Sequence, residues 1–232
     1  YCRLKFEECK FAFRFDSSLL KEIGSFAGWN LLGNGVWILS TQGVNVLTNM
    51  FFPVRVNAAR GITAQVDSAV NHFVGNFSTA LNPQITKSYA MGNLEYMHSL
   101  LVRGAKYSFF LMWLFALPIC LETETILDLW LHKVPEYAVD FVRLSFIGNL
   151  CIVLGDTLVK SMLATGKIKR YQIIVSIFVF FDFPLTYLAY KMGCPPQIAY
   201  VIFIVVYFLL IFIRLYLVKD LINLAAGNTL KL

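Results

Sequence analysis

Two stretches of this chain carry amides and hydroxyls where the surrounding sequence is apolar. Asn30, Asn34, Ser40, Thr41, Gln42, Asn45, Thr48 and Asn49 fall within Trp29–Phe52. Gln65, Asn71, His72 and Asn76 fall within Gly61–Asn93. Asn30 and Asn34, Thr41 and Asn45, and Asn45 and Asn49 are each four apart and share a helical face. Polar side chains at membrane depth are costly unless they meet a partner or a water-filled cavity. Asn34, Asn45, Asn49, Gln65, His72 and Asn76 are therefore the candidate lining of a polar cavity, one that suits sugars and phosphates. Singly, each would also serve as a hydrogen bond between helices, worth about 0.6–2 kcal/mol. Their concentration in two adjacent segments favours the cavity.

Charged residues add three further possibilities. Arg55 and Arg60 lie between the two polar segments, where guanidinium forks could guide an anionic head group. Either could equally be an interfacial arginine meeting lipid phosphate. Asp156 and Lys160 are four apart and can pair, and Asp182 has no partner evident from the sequence. An acid within a membrane segment is a candidate for proton or sodium coupling. Metal chemistry is not indicated. Cys2, Cys9, Cys120, Cys151 and Cys194 are scattered, and His72, His98 and His132 are isolated from any second ligand at metal spacing. No P-loop, HExxH or GxSxG is present, so the residues argue against an enzyme and imply no cofactor.

The elements that must position these residues are apolar. The 232 residues are 58% hydrophobic and 15% charged, with mean hydropathy +0.64. Average soluble domains carry about 25% charged residues. The expected class is an all-α polytopic membrane protein with six spanning helices. They are placed at Trp29–Phe52, Ile62–Leu81, Leu100–Leu121, Phe141–Leu163, Tyr171–Tyr190 and Gln197–Val218. Residues 1–28 read as a cytoplasmic juxtamembrane connector, 29–220 as the membrane lobe and 221–232 as a cytoplasmic tail. Asp16 is the expected cap of a helix in the connector, and Asn93 of the helix after Gly92.

Charge sets an orientation. With a cytoplasmic N-terminus, only Arg55, Arg60, Lys133, Arg143 and Lys191 of the 20 basic residues fall outside. The remaining fifteen fall inside, as the positive-inside rule requires. Both ends are therefore placed in the cytoplasm. The net charge of +6 comes from residues that punctuate apolar runs, not from one basic surface, which argues against nucleic acid.

The run Arg60-Gly-Ile-x-x-Gln-Val, followed by Asn76-Phe, Ala80-Leu-Asn-Pro-Gln-Ile and Lys87-Ser-Tyr-Ala-x-Gly, carries a family likeness. It resembles Wzx-like polysaccharide flippases of the multidrug/oligosaccharidyl-lipid/polysaccharide exporter superfamily, which also holds MATE-like drug antiporters. The upstream Asp16…Leu20-Lys-Glu-Ile…Phe26-Ala-Gly-Trp is similar to the connector opening the C-terminal lobe in that branch. The likeness covers nearly the whole chain, with Gly61–Gly92 its most specific block. It implies one six-helix lobe of a twelve- to fourteen-helix transporter in the bacterial inner membrane. The implied partners are an undecaprenyl-diphosphate-linked glycan, membrane lipid, a coupling H+ or Na+, and an N-terminal lobe of the same protein. A chain beginning at Tyr1, without an initiator Met, fits such a fragment. The implied activity is flipping the lipid-linked oligosaccharide by alternating access. The alternative is cation-coupled multidrug export on the same fold.

Overall fold

The structure, a computed structural model, describes residues 16–131, 133–166 and 168–222. The first fifteen residues of the expected connector and the tail after Ile222 lie outside the described residues. Every regular element among the described residues is helical. In chain order these are α1 Ser17–Phe51, α2 Val54–Thr79, α3 Asn82–Ala90, α4 Leu94–Leu121, α5 Thr123–Leu131, α6 Ala138–Ala164, α7 Lys169–Lys191 and α8 Ile198–Ile222.

Local signals explain the boundaries. Asp16 starts α1, its Oδ1 accepting from the Ser18 backbone N–H at 2.9 Å and from the Ser18 hydroxyl at 2.7 Å. Phe52 is extended, and Pro53 stands at the N-cap of α2, so only two residues separate α1 from α2. Pro83 sits in the first turn of α3, where its missing N–H costs nothing. Asn93 caps α4 by accepting from the Tyr96 N–H at 3.1 Å. Gly92 and Gly193 end their helices at φ of 71° and 82°, a conformation that side chains with a Cβ rarely adopt. Pro118 and Pro184 lie inside α4 and α7.

The count of spans changes. Among the described residues, four helices are long and apolar enough to cross a membrane: α4, α6, α7 and, over Ile198–Lys219, α8. The expectation of six apolar spans is corrected on this criterion. The remaining two long helices, α1 and α2, have ample length at 35 and 26 residues. Their amides, hydroxyls and charges dilute their apolar content. The expected connector boundary at residue 28 also falls inside α1, which runs unbroken from Ser17. Arg55 and Arg60, expected between helices, lie in the first two turns of α2.

At the centre stands α6. It packs on α2, α3, α4, α5 and α8, and half of its apolar window is buried, against 22–33% for the other three spans. Gly148 permits a close approach to α8, because a Cβ there would overlap the Phe203 ring. The other strong pairing is α1 on α7, where Gly33 and Gly43 leave room for Gln172 and Phe183. Three apolar clusters result among the described residues. One gathers Val56, Val74, Met112, Leu127, Phe141 and Phe146, a second Ile85, Met97, Met162, Val206, Leu210 and Leu217, and a third, smaller one Val44, Leu47, Tyr190 and Ala199.

Polar contacts give both pairings a constant register. Between α1 and α7, Asn30 meets Gln172, Ser40 meets Asp182 and Thr48 meets Tyr190, each separated by 142 residues. Between α2 and α6, Asp67 meets Ser145 and Ser78 meets Asp156, both separated by 78 residues. A fixed offset maintained over several turns means that each pair runs parallel.

Hydrogen bonds from Ser18 and Leu19 hold the Asp16 carboxyl below the usual carboxylate range. A depressed carboxylate stabilises the helix start above its unfolded pKa, and that contribution disappears as pH falls through the folded value. The exchange protection of the Ser18 and Leu19 amides, relative to their intrinsic rates, is therefore expected to fall in acid more than that at the Asn93-capped start of α4. An equal fall in protection at both helix starts would contradict this.

Candidate functional site

Polar side chains from α1, α2, α6, α7 and α8 converge on a cavity of about 190 Å³. Thr41 and Asn45 come from α1, Arg60 and Asp67 from α2, Ser145 and Asn149 from α6, Asp182 from α7, and Tyr200 from α8. Arg60 is half-buried. Its Nε donates to Asn45 Oδ1 at 3.0 Å, and its guanidinium lies 5.3 Å from the centre of the Tyr200 ring. A guanidinium over an aromatic face gains roughly 0.5–2 kcal/mol, more as water is excluded. This contact turns the arginine inward, away from an exposed helix end.

Two carboxylates share the cavity with that single guanidinium. Asp67 Oδ1 accepts from Ser145 Oγ at 2.9 Å and Asn149 Nδ2 at 3.0 Å. Asp182 is buried, with Ser40 Oγ 3.4 Å from its Oδ2 and no partner on its Oδ1. Neither makes an ion pair among the described residues. Two acids, one base and a handful of neutral donors form a site that can exchange a cation or a proton for the compensating charge it lacks.

The sequence-predicted residues divide between settings. Of the six candidate lining residues, Asn45 borders this cavity and Asn34 borders a second one described below. Asn49, Gln65, His72 and Asn76 line neither, and stand exposed on α1 and α2 along surfaces that no described element covers. Arg55 is exposed and pairs with Glu136 at 3.5 Å instead of standing ready for a head group. Exposed pairs of this kind contribute roughly 0–1 kcal/mol.

Asp156 and Lys160 do pair, at 2.6 Å. They also clamp α2: Ser78 Oγ donates to Asp156 Oδ2 at 2.8 Å, and Lys160 Nζ donates to Ser78 Oγ. The lysine side chain is only 12% exposed. This cluster lies two to three helical turns along α6 from Asn149 and is distinct from the Arg60 cavity. Its geometry supports a structural clamp between helices as directly as it supports ion coupling.

Five polar residues of the cavity fall outside the sequence-based site: Thr41, Asp67, Ser145, Asn149 and Tyr200. Three of them carry a signal in the sequence. Asp67 is an acid inside an expected span, as Asp182 is, and Ser145 and Asn149 are four apart on one face of α6. A larger hollow, about 840 Å³, is elsewhere, between the first turns of α1 and α7. It is an open groove floored by Phe26, Trp29, Ile173 and Ile174, with Lys169 over the Trp29 ring at 5.3 Å. None of the sequence-predicted site residues lines it.

Asp156→Ala should destabilise the protein by about 3 kcal/mol, because it strands the buried ammonium of Lys160. That value is at the low end of the range because Asp156 is itself 41% exposed. Adding Lys160→Met should recover most of the loss in a denaturant titration of the full protein. No recovery in the double variant would rule out a purely structural clamp. Comparison of the chain with protein-family models, curated proteins and solved structures yields no match.

Proposed function

We propose that this chain is one lobe of an alternating-access exporter that moves a lipid-linked oligosaccharide across a bacterial inner membrane. The observation that carries the reading is the row of amides and imidazole at Asn34, Asn49, Gln65, His72 and Asn76. These are exposed on two long helices otherwise packed into an apolar bundle. Amides offer both donors and acceptors, which matches glycan hydroxyls. A second lobe facing this row would enclose a polar passage, while the lipid tail stays in the bilayer.

In this reading α1 and α2 cross the membrane beside the four apolar helices, giving six crossings with both ends cytoplasmic. The parallel registers support that arrangement. The contacts from Asn30 to Thr48 extend over 18 residues of α1, about 27 Å along the helix, close to the roughly 30 Å of a hydrocarbon core. Their partners lie on α7, itself long and apolar enough to span. The charged Arg60 cavity would carry ion coupling through Asp182 and Asp67. A cation-coupled multidrug exporter is the second reading, favoured by the same two carboxylates, of which Asp182 is buried with an unpartnered oxygen.

Full-length protein carrying Asn76→Leu or Arg60→Ala separates the two, with membrane levels of each variant measured alongside. Surface glycan is expected to fall about tenfold in both, the effect of losing ~1.4 kcal/mol of recognition. Undiminished glycan together with a fall in drug resistance would replace the first reading with the second. Topology has its own check. Cysteines introduced at Glu124 and Met91 should react with impermeant reagent from opposite faces of the membrane, and same-face labelling would overturn the six-crossing arrangement.

A further inference from the structure

Arg214 is counted in the sequence among the cytoplasmic basic residues, yet in the fold it is only 8% exposed. It lies five residues before Lys219 on α8 and turns towards α6 and α7. Its Nε has no partner, and among the described residues it makes no ion pair. Tyr171 and Tyr207, both neutral phenols, border the same cavity. A buried cation without a counter-charge is strongly unfavourable, so its retention needs a reason.

The surroundings are shaped to admit it. At Gly155 on α6 an added Cβ would overlap the guanidinium Nη1 and lie 3.4 Å from Cδ and Cζ. At Gly33 on α1 an added Cβ would overlap the amide of Gln172, which donates to Asn30 Oδ1 at 3.3 Å. The arginine borders a cavity of about 280 Å³ together with Asn34, Trp37, Gln172, Ser176 and Tyr207. That volume is on the order of nine waters at roughly 30 Å³ each, room for an oxyanion and part of its hydration. Ser176 Oγ is buried there with no partner. Asn34 and the 51%-exposed Trp37 stand at the mouth, so the cavity can be reached from outside the bundle.

We propose that the Arg214 cavity binds a phosphate group. An arginine fork, an amide and an unpartnered hydroxyl are complementary to a tetrahedral oxyanion, and no carboxylate lines the cavity to oppose one. A dianion also suits this end of the bundle, where Lys169 opens α7 and Lys219 lies in the last turn of α8. The phosphate can be free or belong to a lipid head group, since both present the same oxygens. The site is separate from the Arg60 cavity and does not depend on the flippase reading.

The test uses full-length protein in detergent at constant ionic strength. Calorimetric titration with inorganic phosphate forms one arm and short-chain phosphatidic acid the other. Saturable binding is expected in at least one arm, and the responding arm identifies the source. Arg214→Gln should weaken that binding at least tenfold, whereas acetate should not compete. Unchanged affinity in Arg214→Gln, or equal binding of acetate, would overturn the site. A measurement without any variant covers the case in which Arg214→Gln does not fold. The responding phosphate ligand should protect Arg214 of the wild-type protein from phenylglyoxal, as read by peptide mass spectrometry, and leave Arg55 modified. Absence of protection at Arg214 would equally overturn the proposal.

Discussion

Helix α6 receives two polar side chains of α2 across the bundle. Asp67 is met by Ser145 and Asn149, and one stretch further along Ser78 is met by Asp156 and Lys160. Asp67 and Ser78 are eleven residues apart, as are Ser145 and Asp156. Eleven residues are just over three full α-helical turns, so both contacts fall on one stripe of each helix. The rest of the bundle is arranged around this double attachment. The apolar cores flank it, α4 and α8 pack on the remaining faces of α6, and the pair α1 with α7 closes the Arg60 cavity.

The arrangement follows from the cost of polar groups away from water. A helix made almost wholly of apolar side chains, as α8 is, can pack in many rotational settings. A helix bearing Asp67 and Ser78 has few, because each group must find its donor or acceptor at the right height. The polar residues that lower the apolar content of α1 and α2 thus fix where those helices sit. Glycines do complementary work by letting bulky partners approach, with Phe203 against Gly148, Gln172 against Gly33 and Arg214 against Gly155.

Much of the fold was legible because length and hydropathy act locally. The four apolar helices fall within a few residues of their expected bounds, and the Asp16 and Asn93 caps form as their side chains dictate. The sequence places a separate short helix after Asp16 and starts the first span at Trp29, whereas the two form one continuous α1. The sequence places the start of the second span at Ile62. A proline at the N-cap instead starts α2 at once. The site was less legible. Which amides turn inward depends on helix rotation, and rotation is set by distant partners: Asn45 by Arg60, Asp67 by Asn149. Arg214 illustrates the limit. In the sequence it is one charge near a helix end, and only the tertiary arrangement buries it beside Gly155.

The constant offsets of 142 between α1 and α7 and of 78 between α2 and α6 impose different tolerances along the chain. One residue inserted between Asn149 and Asp156 would rotate everything beyond it by about 100° and shift it by 1.5 Å, carrying Asp156 off Ser78. The same holds between Ser40 and Thr48, or between Gln172 and Asp182. Residues gained or lost in the connections around Glu122, Lys133 or Gly166 leave both registers untouched. Length is therefore constrained inside the paired helices and free at their junctions, even where the side chains within a pair could change.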